Sequence, residues 1–234
     1  MRRNFDRQLG ELNVALIRMG AACEAIINKA IRALFNHDLS LARDAVRDDK
    51  EIDRMEREIE NFCLQLILQQ QPVAGDLRII SSALKMITDL ERIGDQGADI
   101  AEIISMDNLD LTGDLRPPVV QMAEATCRMV TQSIDAYVRR DLQLAEHVIA
   151  SDDIVDDLFV RIRSLLIETI AKHREEMAEK VIDLLMIAKY FERIGDHATN
   201  IAEWVVFAIT GHHKDVPPAP DHPKMNSAGS LIDD

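Results

Sequence analysis

Apolar residues recur every three or four positions from Phe5 to Thr210, and strand-like alternation is absent over any useful length. That period belongs to the helix, so nearly the whole stretch is expected to be helical. Ala, Leu, Ile, Met, Glu, Arg and Gln dominate it, and aromatic residues make up only 4%, which removes the usual strand formers. Breakers are few: Pro72 and Gly75 mark one turn, and Gly113, Pro117 and Pro118 mark another. These stops predict a long helix at about 5–36, a short segment near 39–47, and long helices at about 49–71 and 76–108. The second half follows with about 115–140, 142–150, 152–173 and 175–210. From Gly211 onward, Pro217, Pro218, Pro220 and Pro223 stand among Ser and Gly, and residues 211–234 read as a flexible Pro-rich tail.

The chain repeats itself. His37-Asp38-Leu39-Ser40-Leu41-Ala42 returns as Arg140-Asp141-Leu142-Gln143-Leu144-Ala145, and the same offset carries Asp49 onto Asp152 and Asp53 onto Asp156. Glu91-Arg92-Ile93-Gly94-Asp95 returns unchanged as Glu192-Arg193-Ile194-Gly195-Asp196, with Ile100-Ala101-Glu102 returning as Ile201-Ala202-Glu203. Order and spacing are kept too well for chance, so the chain is an internal duplication. Short connections make successive long helices antiparallel neighbours. The expected fold is therefore all-α: two tandem, similar three-helix bundles over residues 1–112 and 113–210.

The third helix of each half carries the sharpest chemistry. With Glu91 at zero and about 100° per residue, Asp95, Asp99 and Glu102 fall at roughly 40°, 80° and 20°. Leu90, Ile93, Gly97, Ile100, Ala101 and Ile104 fall at roughly 180–280°, so the core lies broadly opposite and the carboxylates are expected to face outward. Like charges one turn apart destabilise a helix by about 0.2–0.5 kcal/mol per pair. The second half repeats the arrangement with Glu192, Asp196 and Glu203, although Asn200 stands where Asp99 would return. The second helices add Asp49/Asp53 and Asp152/Asp156. If second and third helices pack side by side, each half gathers about four carboxylates on one surface. Oxygen ligands of that kind suit Mg²⁺, Mn²⁺ or iron. A solvated acidic face neutralised by Arg54, Arg57, Arg92 or Arg193 is the competing reading. Gly94 and Gly195, each inside a helix, point to close approach of a neighbouring helix.

Composition removes other classes. Net charge is −14, from 27 basic against 41 acidic residues, so phosphate backbones are repelled and no nucleic-acid partner is expected. Cys23, Cys63 and Cys127 are odd in number, far apart and without CxxC spacing, so they read as small buried side chains. No apolar run reaches the roughly 20 residues of a membrane span, and the basic start has no apolar stretch behind it, so a cytoplasmic location is expected. There is no GxxxxGK[ST] or GxGxxG loop and no Glu-x-x-His pair, and nothing in the sequence signals catalysis. His197, beside Asp196, and His212, His213 and His222 are weak candidates for ligands, and the ten methionines read as core filler.

The duplicated blocks Asp89-Leu90-Glu91-Arg92-Ile93-Gly94-Asp95 and Tyr190-Phe191-Glu192-Arg193-Ile194-Gly195-Asp196 resemble the signature of the PhoU family, and the resemblance extends over about residues 5–210. It implies metal sites at Asp49, Asp53, Glu91 and Asp95 in the first half and at Asp152, Asp156, Glu192 and Asp196 in the second. Asp99, Glu102 and Glu203 would be additional acids. It also implies a non-catalytic negative regulator of phosphate uptake and phosphate-starvation signalling. Its partners would be the ATPase subunit of the phosphate ABC transporter and the phosphate-responsive membrane histidine kinase, at the inner face of the membrane. Self-association as a homodimer is left open. So are two alternatives: a helical metal-binding scaffold outside the phosphate pathway, and a metal-dependent enzyme.

Overall fold

A computed structural model of the chain describes residues 2–72, 75–106, 109, 111, 113–173 and 178–213. Six long helices account for almost all of them: α1 (Arg2–Asn36), α2 (Leu39–Gln70), α3 (Gly75–Met106), α4 (Arg116–Arg139), α5 (Leu142–His173) and α6 (Ala178–Thr210). One 3-10 turn, Gly113–Leu115, precedes α4, and no strand occurs among the described residues. The tail beyond His213 lies outside the described residues.

The repeated His37-Asp38-Leu39 and Arg140-Asp141-Leu142 are the corners between first and second helices. His37 and Arg140 both take a left-handed backbone with φ of 53°, which turns the chain. Asp38 then caps α2, its Oδ1 accepting from the amides of Ser40 and Leu41, and Asp141 Oδ1 accepts from the amide of Leu144. Prolines stand in the first turn of α4, where a missing amide hydrogen costs nothing.

Each expected short segment is not separate. Residues 39–47 and 49–71 form the single helix α2, and 142–150 and 152–173 the single helix α5. The reason is that no Gly or Pro stands at the supposed break. The buried face of α2 also runs on through it, from Ala42 and Ala45 to Ile52, Ile59, Cys63 and Leu66. Each half is then three helices in mutual contact, α1–α2–α3 and α4–α5–α6.

The two bundles are not independent. α3 packs along α6, and α1 against α4. Lys85 lies over the Trp204 ring at 6.0 Å, Asp89 bonds Asn200, and Asp99 bonds Tyr190, so α3 and α6 run antiparallel. One continuous core results, reaching from Leu12, Ile26 and Ile80 in the first half to Met129, Ile187 and Phe191 in the second. Cys23 and Cys63 are buried and Cys127 partly so, all as free thiols, and burial pushes Cys63 and Cys127 up to about 12. Met19, Met86, Met122 and Met129 fill the core, whereas Met106 and Met186 are exposed.

Gly94 has a definite structural use. A Cβ built there would sit 2.7 Å from Ile52 Cδ1, so α2 approaches α3 more closely than any side chain would allow. Replacing Gly94 by Leu is expected to lower stability by about 1–3 kcal/mol through forced separation of the two helices. Gly10→Ala, at an exposed position with nothing within 4 Å of the new methyl, should raise it by about 0.5–1 kcal/mol. Urea denaturation of both variants checks the pair.

Candidate metal centre

The close approach at Gly94 brings carboxylates from two helices together. Asp49 and Asp53, one turn apart on α2, and Asp95 on α3 offer oxygens that all lie within 4.8 Å of one another. All three side chains are half-buried. Asp49 Oδ1 is buried with no hydrogen-bond partner among the described residues, and it lies 3.2 Å from where a Cβ on Gly94 would be. A carboxylate oxygen in that position is unsatisfied unless something positive meets it.

Electrostatics agree with the geometry. Burial, followed by repulsion from Asp95, Asp53 and Asp99, raises Asp49 to about 6. Burial and then Asp95 raise Glu91, with Glu56 and Asp53 adding and Arg92 opposing. Glu56 is a carboxylate that sequence reasoning passed over. It sits one turn past Asp53, and that spacing was the available signal. Its own pKa is raised by burial, then by Glu60 and Asp53.

Basic partners are present but peripheral. Arg92, half-exposed, reaches Asp95 at 2.9 Å and Glu91 at 3.4 Å. Part of the solvated-face reading is therefore real, yet no basic side chain among the described residues reaches Asp49.

In the second half the same helices carry the same residues. A Cβ built on Gly195 would sit 3.2 Å from Asp152 Oδ1, matching Gly94 and Asp49. Burial, then Asp196 and Asp156, raise Asp152 to about 6, while the Thr199 hydroxyl beside it pulls the other way. Asp196 is raised by burial and then by Glu192, with Lys189 opposing. Lys189 pairs with Glu192. Asp156 and Asp196 are exposed, and among the described residues this set does not close as tightly as Asp49, Asp53 and Asp95.

Three further acids do not share one outward face. Glu102 is exposed as expected, but Glu203 is buried, at 9% exposure, because α6 is packed by α3, α4 and α5 together. Asp99 stands between the cluster and the seam: it bonds the Tyr190 hydroxyl from α6, and burial and Asp95 raise its pKa. The repeat explains Asn200. On the other side of the seam Asn200 donates to Asp89 at 3.2 Å, with His197 Nδ1 at 2.9 Å from the same oxygen. Asp89 corresponds to Tyr190 and Asp99 to Asn200, so acceptor and donor have exchanged places. His197 thus bonds Asp89 across the seam.

The fold and these clusters define an all-helical tandem-repeat protein whose halves each place carboxylates in the groove between second and third helices. The family model described as "PhoU domain" matches residues 16–104 and 119–205, once in each half. The chain belongs to the PhoU family. A Clostridium acetobutylicum protein named as a phosphate-specific transport system accessory protein PhoU homolog is 38% identical, over 92% of this chain and 98% of that protein. The crystal structure of PhoU from Pseudomonas aeruginosa matches with TM-score 0.80 at 32% identity, covering 89% of this chain and all of that one. That of the phosphate transport system regulatory protein PhoU from Streptococcus pneumoniae matches with TM-score 0.82 at 26% identity, covering 91% of this chain.

The raised carboxylates set a pH dependence. Asp49 and Asp152 have ordinary values of 3.8 raised to about 6 in the fold, so the native state holds their protons more tightly than the unfolded chain. Their contribution is fully present below pH 3.8 and is lost as pH rises to about 6. In chelator, Asp49→Asn should be more stable than wild type at pH 7 by a margin that shrinks toward pH 4.5. Urea midpoints at the two pH values measure that margin, and a constant margin contradicts the assignment.

Proposed function

We propose that the chain is a non-catalytic regulator of phosphate uptake and phosphate-starvation signalling that works by binding protein partners. They are the ATPase subunit of the phosphate ABC transporter and the phosphate-responsive membrane histidine kinase, whose output it suppresses when phosphate is plentiful. What carries the reading is the family's signature geometry in both halves: the Glu-Arg-Ile-Gly-Asp block of the third helix set against an Asp pair on the second. Relatives named as accessory or regulatory proteins of phosphate transport support it over nearly the full chain. No helix among the described residues is long and apolar enough to cross a membrane.

We include a Mg²⁺, Mn²⁺ or iron ion in this reading. The donor set is all oxygen, half-buried and like-charged, with one orphaned oxygen on Asp49. Asp49, Asp53 and Asp95 would hold the ion, with Glu91 beside them, and Asp152, Asp156, Glu192 and Asp196 would form a looser second site. A cation there would supply charge neutralisation and a tie between second and third helices.

Two measurements test this. Metal added to chelator-stripped protein should raise the melting temperature, by the equivalent of about 2.7 kcal/mol at a hundredfold excess over Kd. Asp49→Asn with Asp95→Asn should remove most of that gain, and Asp152→Asn with Asp196→Asn a smaller part. Equal gains in all three proteins sink the metal sites. In cells, deletion of the gene should leave a phosphate-starvation reporter on in phosphate-rich medium. An unchanged reporter sinks the regulator and favours a scaffold outside the pathway.

A further inference from the structure

A second polar feature lies far from the acid clusters, at one end of the seam between the halves. A cavity of about 180 Å³ opens there, walled by α1, the start of α3, the end of α4 and the end of α6. Its polar lining includes Asn13, Arg78, Tyr137 and Arg140, with Gly75 at the mouth of α3. Two arginines line one small cavity in a protein of net charge −14.

Their surroundings leave donors without acceptors. Arg78 Nε is buried and has no hydrogen-bond partner among the described residues. The Arg78 side chain is held in place against the end of α6, where Gly211, at φ +81°, would put a Cβ 3.6 Å from Nη1. The Tyr137 hydroxyl is already used, donating to the Ile79 carbonyl at 2.9 Å. The remaining donors are Arg78, Arg140, Asn13 and the amides of the first turn of α3, which have no acceptor within their own helix. A planar guanidinium pair suits a multiply charged oxyanion better than a lone carboxylate. The volume is below the roughly 300–1,000 Å³ of sites for drug-sized ligands, which leaves room for a small ion and its water.

The internal repeat serves as a control. Continued back along the third helix, its offset places Glu179 where Arg78 stands. At the first corner it places His37 against Arg140 and Leu34 against Tyr137. Packing alone would let the two ends stay alike in charge, as they do at the capping aspartates. Here one end has become cationic and the other has not.

We propose that the cavity between Arg78 and Arg140 binds free orthophosphate, separately from the acid clusters. The preference for phosphate among oxyanions rests on the phosphate-signalling reading above. Isothermal titration of the full chain with sodium phosphate, in chelator and at constant ionic strength, tests it. One phosphate per chain is expected. Arg140→Gln and Arg78→Gln should each weaken binding by about tenfold or more, Arg78→Lys by less, and Asp49→Asn not at all. Arg140 is exposed at the rim, so its variant remains decisive if Arg78→Gln proves unstable by circular dichroism. Absence of binding, binding unchanged by both Arg→Gln variants, or sulfate binding as tightly as phosphate overturns the proposal. None of those results touches the reporter experiment, whose failure would sink the signalling reading while leaving the cavity's affinity measured.

Discussion

The distance between second and third helices controls most of what is distinctive in this molecule. At Gly94 that distance is set by the absence of a side chain, and Ile52 and Asp49 occupy the space a Cβ would take. One substitution-sensitive point therefore joins two consequences. The isoleucine seals the core, and the aspartate is drawn half inside it among other carboxylates. Gly195 repeats the arrangement with Val155 and Asp152. Desolvation and mutual repulsion are imposed by the backbone approach itself, and no rearrangement of surface side chains relieves them without moving α2. That is the physical difference between this cluster and an ordinary solvated acidic face.

The seam between the halves shows what duplication allows. An exact copy would have placed Tyr190 or Asp89 on both sides and Asp99 or Asn200 on both sides. Instead each contact pairs an acceptor with a donor, Asp89 with Asn200 and Tyr190 with Asp99. In an exact copy Asp89 would face the counterpart of Asp99, and Asp99 the counterpart of Asp89, so half-buried carboxylates would meet at both contacts; the replacement of one partner in each by Asn200 and Tyr190 removes that repulsion.

Much of this was legible beforehand, and the limits have identifiable causes. Helices, corners and repeat follow from periodicity and from where Gly, Pro and capping Asp fall. The Asp49/Asp53 and Glu91/Asp95 pairs follow from one-turn spacing. The split in α2 did not hold, because no Gly or Pro interrupts the chain there and the apolar face continues beneath the charged run Arg47-Asp48-Asp49-Lys50. A wheel drawn for one helix also treats every face away from its own bundle as solvent. It cannot show that α6 covers one flank of α3, which is why Asp99 meets Tyr190 and Glu203 is buried. Glu56 was signalled by its one-turn spacing from Asp53, but the Arg78–Arg140 cavity depends on which ends of distant helices meet, and no local pattern encodes that.

The chain has a single indole, and it lies on the seam. Trp204 stacks on His213 at 4.1 Å between ring centroids, and Lys85 from the opposite half sits over it. Its emission therefore registers the joining of the two halves, whereas far-ultraviolet dichroism registers helix content in either one. With one shared core, the two signals should change together in a single transition during denaturation. Were the bundles to part before melting, fluorescence would lead dichroism, and the gap between the curves would measure how firmly α3 and α6 are held.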